Sequence, residues 1–377
     1  MKNEPTGTTT QRVLPRWPLL ILISLWWALT GFGPPVLTSG GIPPTWRLYP
    51  GQIQELVAAR RMPSVTARAA LLGDRKTGQV LLERRADDPL PPASTTKMMT
   101  ALLTIESAHP SDTVVVPGEA LVGDASMGLW AGERLTVEEL LYGLLLMSGN
   151  DAAMALADYV GGDVDAFVKM MNARAQALGM TATHFVNPHG LDAAGHVSSA
   201  RDLFTLARAA LDQPLFAHIV ATREAQIAGR YMVNRNQLLG TYPGADGVKT
   251  GTTDLAGECL VASATRDGHQ AIAVVLGSQD RYADARALLD HYFERYVWLR
   301  LGPAFDDRRR VRLGQEIVRE LVPVEEPEIL LPRWQVPLLR VYPAIKGDGV
   351  DGTAAGYLDY RIGGRTVARV PLVWREP

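Results

Sequence analysis

The spacing of apolar residues changes period along this chain, and the order of those changes limits the fold more than any other feature. From Ala67 to Glu83 apolar residues flank the polar turn Asp74-Arg75-Lys76-Thr77-Gly78, which predicts a β-hairpin. Pro91 and Pro92 then stop the chain. A helical period follows over Thr95–Glu106, with Met98, Leu102, Leu103 and Ile105 available for burial. Another helix is predicted from about Val137 to Met147, introduced by the capping-type sequence Thr136-Val137-Glu138-Glu139. Further helical stretches cover 151–160 and 163–178, and Ser199-Ala200-Arg201-Asp202 opens one more by the same device. Strand patterns then return. Glu258–Ala264 and Gln270–Gly277 are joined by Arg266-Asp267-Gly268-His269, a second hairpin. Ala283–Arg300 reads as a closing helix. After Gly302 the chain is proline-rich with short β-like pieces, such as Tyr357–Ile362 turning at Gly363-Gly364 into Thr366–Trp374. This order is compatible with an α/β (α+β) domain whose sheet draws on both ends of the domain around a helical insertion, followed by a small all-β domain.

At 377 residues the chain exceeds one compact domain, and two domains with an appendage are expected. Residues are 47% hydrophobic and 21% charged, the net charge is −2, and no long basic run is present, so nucleic acid is not an expected partner. The single cysteine, Cys259, cannot form an internal disulfide or a thiolate metal cluster, and reads as a small buried apolar residue. At the N-terminus, Lys2, Arg12 and Arg16 precede an apolar run from Trp17 to Phe32, and no further charge comes before Arg47. That pattern keeps residues 1–16 cytoplasmic and sends the rest across a membrane, with 17–33 as a signal or anchor. A helix over 17–33 would be about 25 Å long, slightly short of a roughly 30 Å hydrocarbon core. The weak small-residue cleavage pattern favours an uncleaved anchor. Pro34, Pro35, Pro43 and Pro44 make the next stretch an extended spacer, and 51–61 reads as a lead-in helix, so 34–62 is linker.

Three short motifs carry chemistry. In Ser94-Thr95-Thr96-Lys97, serine and lysine one helical turn apart lie on the same face, so the amine can act as base for the hydroxyl once it has lost its proton. A helix N-terminus and burial both favour that loss. Taken alone, about one S-x-x-K arises by chance in a chain of this length. Ser148-Gly149-Asn150 falls between two helices; its hydroxyl can pass a proton and its amide can hold a carbonyl or orient Lys97, although these are also ordinary turn residues. Lys249-Thr250-Gly251-Thr252 reads as the end of an edge strand. There the glycine permits close approach of another backbone, and the cation and hydroxyl suit a terminal carboxylate. Lys76-Thr77-Gly78 is a second K-T-G but sits in the first hairpin's turn, ahead of Ser94.

S-x-x-K, S-x-N and K-T-G in that order form the signature of penicillin-binding proteins and class A β-lactamases. The surrounding stretches Asp74-Arg75-Lys76-Thr77-Gly78, Pro92–Met98, Met147–Ala153, Asn187–Asp192, His196–Asp202 and Asp246–Thr253 resemble the low-molecular-mass penicillin-binding proteins of the serine-type D-Ala-D-Ala carboxypeptidase family, strongly over about Val65–Arg295. The resemblance implies a serine β-lactamase/transpeptidase-like antiparallel sheet flanked by helices with a helical subdomain, a penicillin-binding catalytic domain at 63–300 and a C-terminal β-rich domain at 301–377. It implies Ser94 as acylated nucleophile, Lys97 as base, and Ser148 and Asn150 as the second catalytic element. Lys249, Thr250 and Gly251 would bind substrate, Ser94 and Thr252 would supply oxyanion-hole N–H groups, and Arg281 would help hold the substrate carboxylate. No cofactor and no metal are implied. His189 and His196 fall in a structural loop of the family, and no carboxylate or cysteine cluster joins them. The implied partners are peptidoglycan stem peptides, β-lactam antibiotics as covalent inhibitors, and the membrane through the N-terminal segment. The implied location is outside the bacterial cytoplasmic membrane. Many relatives end in an amphipathic helix, whereas this sequence stops at Val370–Pro377, which is why the N-terminal segment is the expected anchor. A D,D-endopeptidase, a β-lactamase or a silent sensor of cell-wall peptides or penicillin would share the fold. A β-lactamase needs a second base that no motif here supplies.

Overall fold

The computed structural model describes residues 61–301, 310–313, 317–347 and 349–376, together with positions 50, 51, 53, 54 and 57. The expected basic segment, membrane segment, spacer and most of the lead-in helix lie outside the described residues. Among the described residues no helix is long and apolar enough to cross a membrane. The chain divides into two compact units.

The larger unit, 49–299 with 330–334, is built on β1 (Ala69–Asp74) and β2 (Val80–Arg84), followed by a helical block. That block contains α1 (Lys97–Ser107), β3 (Thr113–Val115), β4 (Arg134–Thr136), α2 (Val137–Leu146), α3 (Asn150–Gly161), α4 (Val164–Ala177), α5 (Ala200–Leu211), α6 (Pro214–Ala221), β5 (Glu224–Ile227) and β6 (Arg230–Val233). The sheet resumes with β7 (Ala245–Thr253), β8 (Gly257–Arg266) and β9 (His269–Ser278), and α7 (Arg281–Arg295) and β10 (Tyr296–Arg300) follow. The five main strands run in the order β2-β1-β9-β8-β7. β1 pairs antiparallel with β9 from Ala69↔Leu276 to Asp74↔Ala271, so the sheet does join both ends of this unit around a helical insertion.

The sheet separates two cores, and alternation along each strand assigns the side chains. Leu71, Val261, Ile272 and Val274 face the helical block, with Met98, Leu102 and Leu144. Leu72, Leu260, Ala262 and Val275 face α7, with Leu288, Leu289 and Tyr292. Burial on both faces explains why β8 and β9 read as nearly continuous apolar runs. Local signals behave as the sequence predicts. Thr136 and Glu139 form a complete capping box at α2, and Asp267 (φ 52) with Gly268 (φ 78) make the two-residue turn between β8 and β9.

Three features differ from the sequence reading. The closing helix begins at Arg281 and stops at Arg295, and Tyr296–Arg300 is strand. The run Tyr296-Val297-Trp298 favours extended backbone. Trp298 is held there by stacking on His269 (4.4 Å between ring centres) and by its Nε1–H donating to Tyr292 Oη. The hairpins β3/β4 and β5/β6 were not expected, being too short to show a period, nor was α6, which opens on Pro214.

The second unit comprises residues 300–329 and 335–377. It contains β11 (Arg310–Leu313), β12 (Ile317–Pro323), β14 (Leu339–Ile345), β15 (Ala354–Ile362) and β16 (Arg365–Arg375), ordered β11-β12-β16-β15-β14, while β13 (Glu328–Pro332) begins in it. Gly363-Gly364 turns β15 into β16, as expected. Leu321, Ala355, Leu372 and Trp374 form its small core.

Candidate active site

The chain enters the site through Pro91 and Pro92, and Ala93 takes a left-handed backbone (φ 50) before a short 3-10 turn over Ala93–Thr96 feeds α1. This places Ser94 at the start of the helix and Lys97 one turn later. Ser148 (φ 62) sits in the tight joint between α2 and α3, a conformation that L residues adopt at a cost and one that turns a single residue out of a helical path. β7 is the edge strand of the sheet, and it brings Lys249, Thr250, Gly251 and Thr252 alongside. Ser94, Ser148, Asn150, Thr250, Gly251, Thr252 and Arg281 line one cleft of about 730 Å³. Lys97 and Lys249 are fully buried behind it, 0% and 1% exposed.

Lys97 Nζ lies 2.9 Å from Ser94 Oγ, 2.7 Å from Asn150 Oδ1 and 2.6 Å from the His189 carbonyl oxygen. An amide oxygen and a carbonyl oxygen only accept hydrogen bonds. A neutral amine therefore gives its two N–H groups to Asn150 and His189, and its lone pair is left facing the Ser94 hydroxyl. The electrostatics favour that state. Burial pushes Lys97 well below the usual lysine range, and the charges of Lys249 and Arg235 push the same way. Lys249 is pushed down to about 7 by burial and by Arg235 and Arg281. Its ammonium donates to the Thr250 carbonyl at 3.0 Å.

Arg281 is less free than the sequence suggests. It donates to the carbonyls of Gly251 and Cys259 and to Thr252 Oγ1, and it pairs with Glu258 at 3.1 Å. It thus braces the end of β7 at the edge of the cleft. Gly251 faces the segment that leads into α1. A Cβ there would lie 2.9 Å from Ser94 N and 2.9 Å from Ala93 Cβ, so the close approach is between β7 and the segment that carries Ser94. Gly251→Ala is expected to slow acylation of Ser94 by about 100-fold, the usual cost of displacing a reacting group by an ångström or so. Stopped-flow labelling with a fluorescent penicillin would measure it, and an unchanged rate would contradict this geometry.

Both histidine rings are held by hydrogen bonds within the fold. His196 Nδ1 accepts from Val186 N, so its proton sits on Nε2, which faces Thr96 Oγ1 at 2.9 Å. His189 Nδ1 accepts from Leu191 N. Burial lowers both to about 4 and keeps them neutral. Among the described residues no cluster suits a metal ion. Cys259 is buried, and burial raises its thiol to about 11. Lys76-Thr77-Gly78 is the hairpin turn expected of it, with Gly78 at φ 73 and Asp74 Oδ1 accepting from Thr77 N and Oγ1.

Two residues at the site escaped the sequence reading. Arg235, on the cleft wall, acts on both lysines through its charge alone, and no motif marks it. Asp151 follows Asn150 directly, and its carboxylate is buried.

Residues 56–280 match the family model described as D-alanyl-D-alanine carboxypeptidase. The chain belongs to this family. The D-alanyl-D-alanine carboxypeptidase DacC of Escherichia coli K12 is 35% identical over 339 residues, 83% of this chain and 84% of the relative. DacA of Haemophilus influenzae is 31% identical, with 82% and 84% covered. The crystal structure of penicillin binding protein 6B from Escherichia coli superposes with a TM-score of 0.69 at 32% identity, covering 84% of this chain and 97% of that one. The likeness extends beyond the three motifs to the mixed α/β architecture and the β-rich C-terminal part, as carboxypeptidase membership implies.

Proposed function

We infer that this chain is a serine-type D-Ala-D-Ala carboxypeptidase that removes the terminal D-alanine from peptidoglycan stem peptides through an acyl-enzyme at Ser94. The observation that carries the mechanism is the contact set of Lys97, whose lone pair can face only the Ser94 hydroxyl. Ser94 Oγ attacks the penultimate D-alanine carbonyl while its proton passes to Lys97 Nζ, and a C–O bond forms. The carbonyl oxygen, now negative, is held by the N–H groups of Ser94 and Thr252. When the intermediate collapses, the C–N bond to terminal D-alanine breaks, and Lys97 returns its proton to the leaving amine through Ser148. Water then cleaves the ester and restores Ser94. Lys249 and Thr250 take the terminal carboxylate, with Arg281 adding charge and holding β7 in place. A β-lactam acylates Ser94 in the same way, but its leaving nitrogen stays tethered to the acyl group, so the adduct persists.

Incubation with a pentapeptide ending in D-Ala-D-Ala is expected to release one D-alanine per peptide, read by a coupled oxidase assay. A peptide recovered intact would overturn the reading. We further propose that the enzyme works outside the cytoplasmic membrane and is held there by residues 17–33. N-terminal sequencing of the protein from cells tests this, since a mature chain beginning after residue 30 would mean a cleaved signal and no anchor.

A further inference from the structure

Lys97 can act as a base only if the Asn150 amide presents its oxygen, and the reason it does so lies outside the three motifs. Asn150 Nδ2 donates to the Gly123 carbonyl at 2.9 Å, and Asn150 N donates to the Ala125 carbonyl at 2.7 Å. A carbonyl accepts only, so Gly123 claims the NH2 end of the amide and leaves the oxygen for Lys97. Were the amide turned over, its NH2 would face Lys97 and compete with the Ser94 hydroxyl for the amine's lone pair.

The position of Gly123 depends on the segment 123–129, which the Asp151 carboxylate holds together with Asn150 N on the Ala125 carbonyl and Arg230 on the Gly128 carbonyl. Asp151, 1% exposed, accepts from Ser126 Oγ at 2.5 Å and from the N–H groups of Met127, Gly128 and Leu129, each at 3.1 Å. Its other oxygen also accepts from Ala152 N at 2.9 Å, in the first turn of α3, where the helix favours an anion. The N–H groups of Met127 and Leu129 are buried, and losing the carboxylate would leave them unpaired. Gly149 makes room for the arrangement, because a Cβ there would lie 2.7 Å from Asp151 Oδ1 and 3.2 Å from Met127 N.

We propose that Asp151 is a positioning residue for acylation: it clamps the 123–129 segment to α3, and the Gly123 carbonyl so placed selects the end of the Asn150 amide that faces Lys97. The inference rests on the assignment of Ser94 and Lys97 made above. Its action is separable from general stability because Asp151 also bears on Lys97 by charge. The charged or titratable groups around Lys97 are Asp151 on α3, Lys249 on β7, Arg235 in the segment before β7, and His189 in the 187–192 segment. Of these, the carboxylate alone favours the protonated amine.

The test compares labelled-penicillin acylation rates across pH for the full-length protein and for Asp151→Asn, Asn150→Ala and the double variant. Asp151→Asn is expected to lower the plateau rate by about 10- to 100-fold, the scale of one or two lost charge-assisted hydrogen bonds. The acidic limb of its profile should move to lower pH, because removing the anion makes Lys97 easier to deprotonate. On the Asn150→Ala background the same substitution should cost less than about threefold, since the two residues act through one amide. A rate within about twofold of the parent, or a loss that multiplies in full on the Asn150→Ala background, would overturn the proposal. Should Asp151→Asn fail to fold, the same cycle is run with Ser126→Ala, which removes one bond of the clamp; an unchanged rate there overturns it equally. A parent protein that forms no adduct would instead refute the assignment of Ser94 and Lys97.

Discussion

Replacing Ser94 with alanine is expected to abolish both D-alanine release and the penicillin adduct, a loss on the order of a million-fold in turnover if the serine is the sole nucleophile. The variant should fold normally. Ser94 is at the cleft surface, and its hydroxyl is not needed to hold the entry to α1, where Thr95 Oγ1 bonds the Pro92 carbonyl and Gly251 abuts the backbone. Mass spectrometry of the parent protein should place one drug mass on the peptide containing Ser94. An adduct that survives Ser94→Ala would remove this residue from the mechanism. The alternative nucleophile in the cleft, Ser148, would then be the first to test.

The second large effect belongs to Lys97. Lys97→Met keeps a linear apolar stem and deletes the amine, and acylation should fall by about 10²- to 10⁴-fold, the usual contribution of a positioned base. The pH profile of the parent gives an independent check. Burial and the neighbouring cations depress Lys97, so the amine is neutral above its lowered pKa, and acylation should decline as pH falls through that value. In the proposed mechanism Lys249 has the opposite requirement, since it is to attract the substrate carboxylate as a cation. Its value of about 7 places a second decline toward the alkaline side for the carboxylate-bearing substrate. For a carboxylate-bearing substrate kcat/KM should therefore carry an acidic limb set by Lys97 and an alkaline decline near pH 7 set by Lys249. A flat profile would point to a base other than Lys97.

How far the sequence could be read depended on the range of the physics involved. Thr136 with Glu139, the Asp267-Gly268 turn and the apolar period of α1 are decided within a few residues, and all were legible. The three motifs were legible as a set because their order is specific, although their burial and contacts were not. The end of α7 was misjudged because its stop is imposed by Trp298 packing on His269 across the sheet. Gly251 was correctly singled out for close approach, but the approaching backbone could not be named without knowing that Ala93 lies opposite. Arg235 and Asp151 were missed for a related reason. Each acts on residues distant in sequence, by charge in one case and by gathering three backbone N–H groups in the other.

The pairing of β1 with β9 also has a kinetic consequence. Asp284, in the first turn of α7, accepts from Thr66 Oγ1 at a separation of 218 residues, so the sheet closes only after nearly the whole unit has been synthesised and its longest loop has been drawn shut. The helices between can form earlier from local contacts, and Ser94 and Lys97 sit at the head of one of them. Their partner strand, β7, arrives with the late-forming sheet. On the proposed assignment of Ser94 and Lys97, reactivity is expected to emerge only with these last long-range contacts, so that the ability to be acylated would report a completed fold.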